Sequence, residues 1–409
     1  MNIIYTLKKH AFLFLLSLTT GLAFADIDYT NLHSFVGGAG DGLNPDGGLI
    51  VDNGTLYGMT PYGGSNNSYY GVVFKMNIDG SHFITLHEFS NSAGDGGVPT
   101  DGHLVLLGNY LYGMTWRGGT NDYGVIFKIS TNGNSFTTLH EFSGVTDDGV
   151  RPRGSLITVD NVFYGITPQG GLSNKGNIFK IDINGNNFNT IHNFPENSND
   201  GYQPFSSLTF INNKLYGMTY RGGTNDLGIV FRCDINGANY TNIHSFSGSP
   251  SDGANPYDSL TFYENKLYGV TYYGGLYNLG AIFKMDIDGQ NYTNIYSFTD
   301  GMNNGKYPEA SVVILDDVIY GTVSDDAIFK IDINGGNYSN IHNFIYGGYD
   351  GYHPTKGALA LYNDAFYGMT ISGGTNGGGV IFKQLVPEIP EPCFLLFGMY
   401  FLLFIWKKY

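Results

Sequence analysis

The stretch KLYGMTYRGGTNDLGIVFRCDINGANYTNIHSF, Lys214–Phe246, returns with small edits along nearly the whole chain. Its Tyr-Gly pair recurs at Tyr57, Tyr112, Tyr164, Tyr216, Tyr268, Tyr320 and Tyr367, in steps of 55, 52, 52, 52, 52 and 47 residues. A period near 52 residues implies stacked or radially arranged units, because one such unit cannot bury its apolar faces alone. In the copy that follows Asp200, four strands are expected: Ser207 to Ile211, Lys214 to Tyr220, Gly228 to Asp234 and Asn239 to Phe246.

Turn chemistry marks the reversals. Asp79-Gly80, Asn132-Gly133, Asn184-Gly185, Asn236-Gly237, Asp288-Gly289 and Asn334-Gly335 separate the third and fourth strands, and such pairs point to two-residue type I′ hairpins. A looser set, including Asp160-Asn161, Asn212-Asn213 and Glu264-Asn265, separates the first and second strands. Leu215-Tyr216 with Met218, and Ile229-Val230-Phe231, are apolar on both sides of the pleat, so each sheet is expected to be covered on both faces.

The ends of the array decide its closure. A fourth strand marked His-x-Phe occurs at His87, His140, His192, His244 and His342, with Tyr296 in one copy, but the seventh copy stops after Phe382-Lys383 without one. The missing piece stands at the other end, where Asp28-Tyr-Thr-Asn-Leu-His33-Ser-Phe35 matches Asn239–Phe246. A permuted half-repeat lets the first strand pair with the last sheet and removes two open edges. The expected fold is therefore an all-β, seven-bladed β-propeller of four-stranded antiparallel blades over residues 26–384, closed by an N-terminal strand in the last blade.

Composition agrees: 60 Gly, 32 Tyr and 29 Phe in 409 residues, with few charged residues, suit many short strands and tight turns. A net charge of -15 argues against nucleic-acid binding. Two cysteines, Cys233 and Cys393, give no disulfide framework; Cys233 reads as a buried small hydrophobe.

Residues 1–25 read as a Sec-type signal peptide: Lys8, Lys9 and His10 precede the apolar run from Ala11 to Leu18, and Ala23-Phe24-Ala25 offers a cleavage site. Residues 385–409 carry a second address, in which Pro390-Glu391-Pro392 is followed by apolar residues 393–406 and then Lys407-Lys408-Tyr409. This segment resembles a PEP-CTERM sorting signal, although Cys393 and a tail of two lysines depart from the usual pattern. That resemblance implies sorting and processing machinery, at least transient membrane anchoring, and display at the cell surface or extracellular matrix of a Gram-negative bacterium. The repeats themselves, with Tyr-Gly-x-Thr, Gly-Gly, Gly-x-x-Phe-Lys and Asp-Gly-x-x-Pro over residues 41–383, resemble the bacterial tandem repeats called GloVer. The resemblance implies an exported repeat protein and carries no catalytic residues.

In a propeller the loops leading into each blade share a face with those joining its second and third strands. The lead-in loops carry Asp41, Asp95, Asp148, Asp200, Asp252 and Asp350, one per copy, with Asn304-Gly305 in the sixth. Their carboxylates are weak Ca²⁺ candidates, against the alternative that each caps its own turn. The other loops vary before a fixed Gly-Gly. There Tyr62, Trp116, Tyr220, Tyr272 and Tyr273 are candidates to stack on sugar rings, and Arg117 and Arg221 to hold acidic groups; packing between loops is the alternative. The sixth copy lacks much of this loop, which leaves a notch beside Asp325 and Asp326. The His-x-Phe histidines belong to different blades and read as structural. No nucleophile elbow, zinc-helix motif or phosphate loop occurs in a convincing context. Two functions remain: a non-catalytic binding or scaffold module for a surface glycan or protein, or an exported carbohydrate-active hydrolase or lyase using carboxylates on the loop-rich face.

Overall fold

A computed structural model describes residues 28–387 apart from 66–69, 100, 146, 196–197, 301–304 and 325. The expected signal peptide and most of the C-terminal address lie outside the described residues. Seven antiparallel sheets, each of four main strands, follow one another around a ring. In the fourth blade the strands are Thr209–Ile211, Lys214–Thr219, Ile229–Asp234 and Thr241–Ser245, paired in that order from the axis outward. Among the described residues the one helical turn is the 3-10 turn Ser198–Asp200.

Alternation within the strands explains why blades form a ring rather than isolated sheets. Leu215, Phe231 and Cys233 pack toward blade three with Tyr164 and Ile178, whereas Tyr216, Met218 and Val230 pack toward blade five with Leu267 and Phe283. Each blade thus buries both faces against its neighbours. Seven such apolar clusters occur, one at each blade junction, and one of them joins blade seven to blade one. Cys233 is fully buried in this core, and burial pushes its thiol up to about 12.

The ring is latched as the permuted repeat requires. Strand Tyr29–Ser34 pairs antiparallel with Val380–Leu385, from Tyr29 opposite Gln384 to Ser34 opposite Val380. Phe35, at its end, is wholly buried between blades seven and one. The same strand completes an aromatic series on the outer rim. The ring of His244 stacks at 3.9 Å on Tyr292 of the next blade, Tyr296 stacks at 4.5 Å on Tyr338, and His342 stacks at 3.9 Å on Tyr29.

The hairpin turns differ from expectation. At Asn236-Gly237 the Gly237 N–H donates to Asp234 O at 2.8 Å and only the glycine has positive φ, +83°. This is a type I turn ending in a left-handed glycine, a three-residue loop rather than type I′. The type I′ signature instead falls between the first and second strands: Asn212 and Asn213 have φ of 49° and 61°, and Asp160 and Asn161 have 49° and 62°. Asn and Asp tolerate the left-handed region, so no glycine is needed there.

Candidate functional site

Each inner strand is entered through a Pro-led frame, such as Pro152-Arg-Gly-Ser-Leu156 or Pro256-Tyr-Asp-Ser-Leu260. Between the proline and the buried Leu or Val the chain turns beside the propeller axis. Blades seven, one and two touch there backbone to backbone. A Cβ on Gly47 would lie 2.1 Å from Gly102 O, and one on Gly357 would lie 2.1 Å from Gly48 N, so only glycine fits. A belt of hydrogen bonds continues the contact: His103 N–H donates to Ser155 Oγ at 2.8 Å, Ser155 N–H to Ser207 Oγ at 2.8 Å, and Ser207 N–H to Ser259 Oγ at 3.0 Å. The inner strands enclose a lumen of about 640 Å³.

The residue three places before the Leu or Val is set at the mouth of this lumen. It is Asp46, Asp101, Arg153, Phe205, Tyr257, Glu309 and Lys356 in blades one to seven, a different chemistry at nearly every step. These side chains meet although they come from separate repeats. Lys356 Nζ lies 3.2 Å from Asp46 Oδ2 and 3.2 Å from Asp101 Oδ1. Arg153 Nη1 lies 2.9 Å from Asp101 Oδ2 and donates to Tyr257 Oη at 3.2 Å, while its guanidinium lies 5.0 Å over the Phe205 ring.

Burial sets the protonation of this cluster. It raises the Asp46 carboxyl above the usual range, reinforced by Asp101 and opposed by Lys356, and it raises Glu309 as well. For Lys356, burial alone would favour the neutral amine, but the Asp101 and Asp46 charges outweigh it and hold the group well above the ordinary value. Lys356 is therefore a fixed cation, unsuited to act as a base. Asp46 Oδ1 is buried and accepts no hydrogen bond.

The other half of the mouth is aromatic. Phe205 stacks on Tyr257 at 5.4 Å; Tyr220 lies 5.4 Å from Phe205 and 5.9 Å from Tyr257. Tyr272 extends the group, 6.3 Å from Tyr257 and 5.0 Å from Tyr307. Charged residues from blades six, seven, one, two and three thus adjoin an aromatic group centred on blades four and five, and the two meet at Tyr257, whose ring lies 5.6 Å under Lys356 Nζ and whose hydroxyl accepts from Arg153.

The loop residues singled out from sequence divide between these surroundings. Tyr220 and Tyr272 belong to the aromatic group, and Tyr273 packs edge-on against Tyr272 at 4.7 Å. Trp116 lies under the Arg151 guanidinium at 4.3 Å. Arg117 and Arg221 pair within their own loops, with Asp122 at 2.6 Å and Asp226 at 2.9 Å, and Tyr62 is exposed. At the notch, Asp326 accepts a hydrogen bond from His353 N–H, and Asp325 lies outside the described residues. The seven mouth residues went unread in the sequence. Their signal was the same one that marked the Gly-Gly loops: a variable position inside a fixed frame.

The lead-in aspartates stay apart, and those paired with a histidine are held by the outer strand of the preceding blade. Asp148 accepts from His140 Nε2–H at 3.2 Å, Ser143 N–H at 2.8 Å and Gly149 N–H at 2.7 Å. Asp41, Asp95, Asp252 and Asp350 face His33, His87, His244 and His342 in the same way, always eight residues on. Blade three differs: His192 Nε2 has no hydrogen-bond partner, burial pushes its imidazole down to about 4, and the Asp200 carbonyl accepts from Tyr240 Oη–H at 2.6 Å. Among the described residues no group of three or more His, Cys, Asp or Glu is placed to hold a metal ion.

These Asp–His contacts make a stability prediction. Burial alone would raise the Asp148 carboxyl, but hydrogen bonds from His140 and Ser143 outweigh it and hold the group below the usual range. A depressed carboxyl adds stability above its unfolded value and loses it as pH falls. Asp148→Ala leaves buried donors unpaired and should cost about 3 kcal/mol in urea unfolding at neutral pH. The wild-type protein should lose stability below about pH 4, and Asp148→Asn should make that acid slope shallower. An unchanged slope would mean that Asp148 is not held in its charged form.

The geometry can be set beside known proteins. The family profile of the Gloeobacter/Verrucomicrobia repeat matches residues 12–213 and 196–382. No curated relative matches the sequence. Among solved structures, the oligogalacturonate lyase of Vibrio parahaemolyticus is 12% identical, with 88% of this chain and 94% of that one covered and a TM-score of 0.53. An oligogalacturonate lyase in complex with manganese is 11% identical, over 88% and 93%, with a TM-score of 0.54. A puromycin-hydrolyzing peptidase of Mycobacterium tuberculosis is 10% identical, over 86% and 55%, with a TM-score of 0.57. At these identities the likeness is one of fold.

Proposed function

The chain belongs to the Gloeobacter/Verrucomicrobia repeat family, and from that footing we propose that it is an exported, surface-displayed β-propeller that binds carbohydrate without turning it over. The observation that carries this reading is the end of the lumen, where aromatic side chains and matched charges from all seven blades converge. Aromatic faces against hydrogen-bonding side chains suit sugar rings, which have apolar C–H faces and polar edges. Topology supports the display. Leu385 N–H donates to Asp28 O at 2.7 Å, and Val386 N–H to Asp364 O at 2.9 Å, so both ends of the propeller leave beside the short hairpins. A membrane tether in residues 393–406 would then hold the aromatic mouth facing away from the bilayer. Ca²⁺ dependence belongs to the same test, through the lead-in aspartates.

The purified protein on a glycan array, with and without Ca²⁺, should retain a restricted set of glycans. Tyr220→Ala with Tyr257→Ala should weaken retention at least about tenfold, a loss near 1.4 kcal/mol, while Arg117→Ala with Arg221→Ala leaves it unchanged. Retention of no glycan, or sensitivity confined to the outer arginines, would overturn this reading. A second reading, a hydrolase or lyase, is favoured by one observation: Asp46 and Asp101 converge on a single ammonium, each 3.2 Å from it, and glycosidic chemistry uses a pair of carboxyl groups. Release of new reducing ends from a retained glycan, lost in Asp46→Asn, would establish it.

A further inference from the structure

We propose that the mouth of the lumen is a subsite for an uncharged sugar and discriminates against uronic acids; this rests on the carbohydrate-binding reading above. The argument is one of charge already matched. Both cations at the mouth are committed: Lys356 to Asp46 and Asp101, Arg153 to Asp101. Glu309 adds a third carboxylate, with no further cation among the seven mouth residues. The side chains are largely covered, with 7% of Asp101, 17% of Asp46 and 21% of Lys356 exposed.

A uronate carboxylate could reach Lys356 or Arg153 only by displacing Asp46 or Asp101. That would leave a half-buried protein carboxylate unpaired beside two others, an arrangement that costs far more than the new ion pair returns. A sugar hydroxyl disturbs none of these pairs. It can donate to the Asp46 carboxylate where that side chain reaches the surface and accept from an ammonium or guanidinium hydrogen. Tyr257 stands where the charged and aromatic groups meet: it takes a hydrogen bond from Arg153 and stacks on Phe205. A pyranose whose C–H face lies on Tyr257 and Tyr220 would turn its hydroxyl edge toward Asp46 and Lys356. The two groups therefore define both the neutrality of the ring and the way it faces.

Calorimetric titration of the whole protein tests this with neutral xylo-, cello-, manno- and laminari-tetraose against tetragalacturonate. At least one neutral tetraose should bind, with tetragalacturonate at least about tenfold weaker. Asp46→Asn removes one of the carboxylates that occupy Lys356. It should narrow that ratio by weakening the neutral ligand and admitting the acidic one, a change of selectivity that simple loss of folding cannot produce. Tyr257→Phe should keep most of the affinity and Tyr257→Ala lose it. Tetragalacturonate binding as tightly as every neutral probe, or tighter, overturns the neutral subsite while leaving carbohydrate binding in place. No binding by any probe overturns both.

Discussion

Removing residues 28–35 should abolish the cooperative unfolding transition of the propeller. Strand Tyr29–Ser34 covers the edge of Val380–Leu385, Phe35 fills the junction of blades seven and one, and Tyr29 stacks on His342. Loss of a buried Phe alone costs about 3–5 kcal/mol, a large part of the roughly 5–15 kcal/mol that stabilises a typical domain. The deletion adds an exposed strand edge and an unlatched ring. Thermal melts followed by near-ultraviolet circular dichroism should show a broad, early transition with aggregation. A synthetic peptide spanning residues 26–36, added in excess, should restore part of the transition by strand addition. A truncated protein melting like the full chain would mean that the ring does not depend on its latch.

The second large effect is expected at Gly217. It sits directly across from Phe231, whose ring lies over the glycine: a Cβ at Gly217 would fall 2.5 Å from Phe231 Cζ and 3.2 Å from Leu208 Cδ2. Gly217→Val should therefore cost about 3 kcal/mol or more, because a close-packed junction cannot yield that much space. Gly377→Ala is the contrast, since nothing lies within 4 Å of its Cβ and the strain comes only from a φ of +79°; about 1 kcal/mol is expected there. Chemical denaturation of both variants would measure the difference. Equal costs would show that the Tyr-Gly and Gly-x-x-Phe elements recur for backbone reasons and not because the ring needs the glycine.

The same pair explains why the repeat was so easy to read. Gly58, Gly113, Gly165, Gly217, Gly269, Gly321 and Gly368 each lie under a Phe ring from the third strand, so one local packing contact writes itself into the sequence seven times. The aspartates were half legible. Their turn-capping role follows from residue type, but the histidine eight residues earlier was visible as spacing and went unused. The hairpins were located correctly and typed incorrectly, because an Asn-Gly pair fits both a type I′ turn and a type I turn closed by a left-handed glycine. Which one forms depends on strand register.

What the sequence determined by itself is the number of blades, their two-sided burial and the latch, since each is a short-range pattern repeated along the chain or a fragment matching it. What only the tertiary structure decided is which residues share a site. Lys356 lies 310 residues from Asp46 and 255 from Asp101, and no local pattern marks them as partners. They meet because closing the ring carries the same position of every repeat to one axis. There, unlike side chains face one another, and their charges, once brought together in a half-buried space, must be matched.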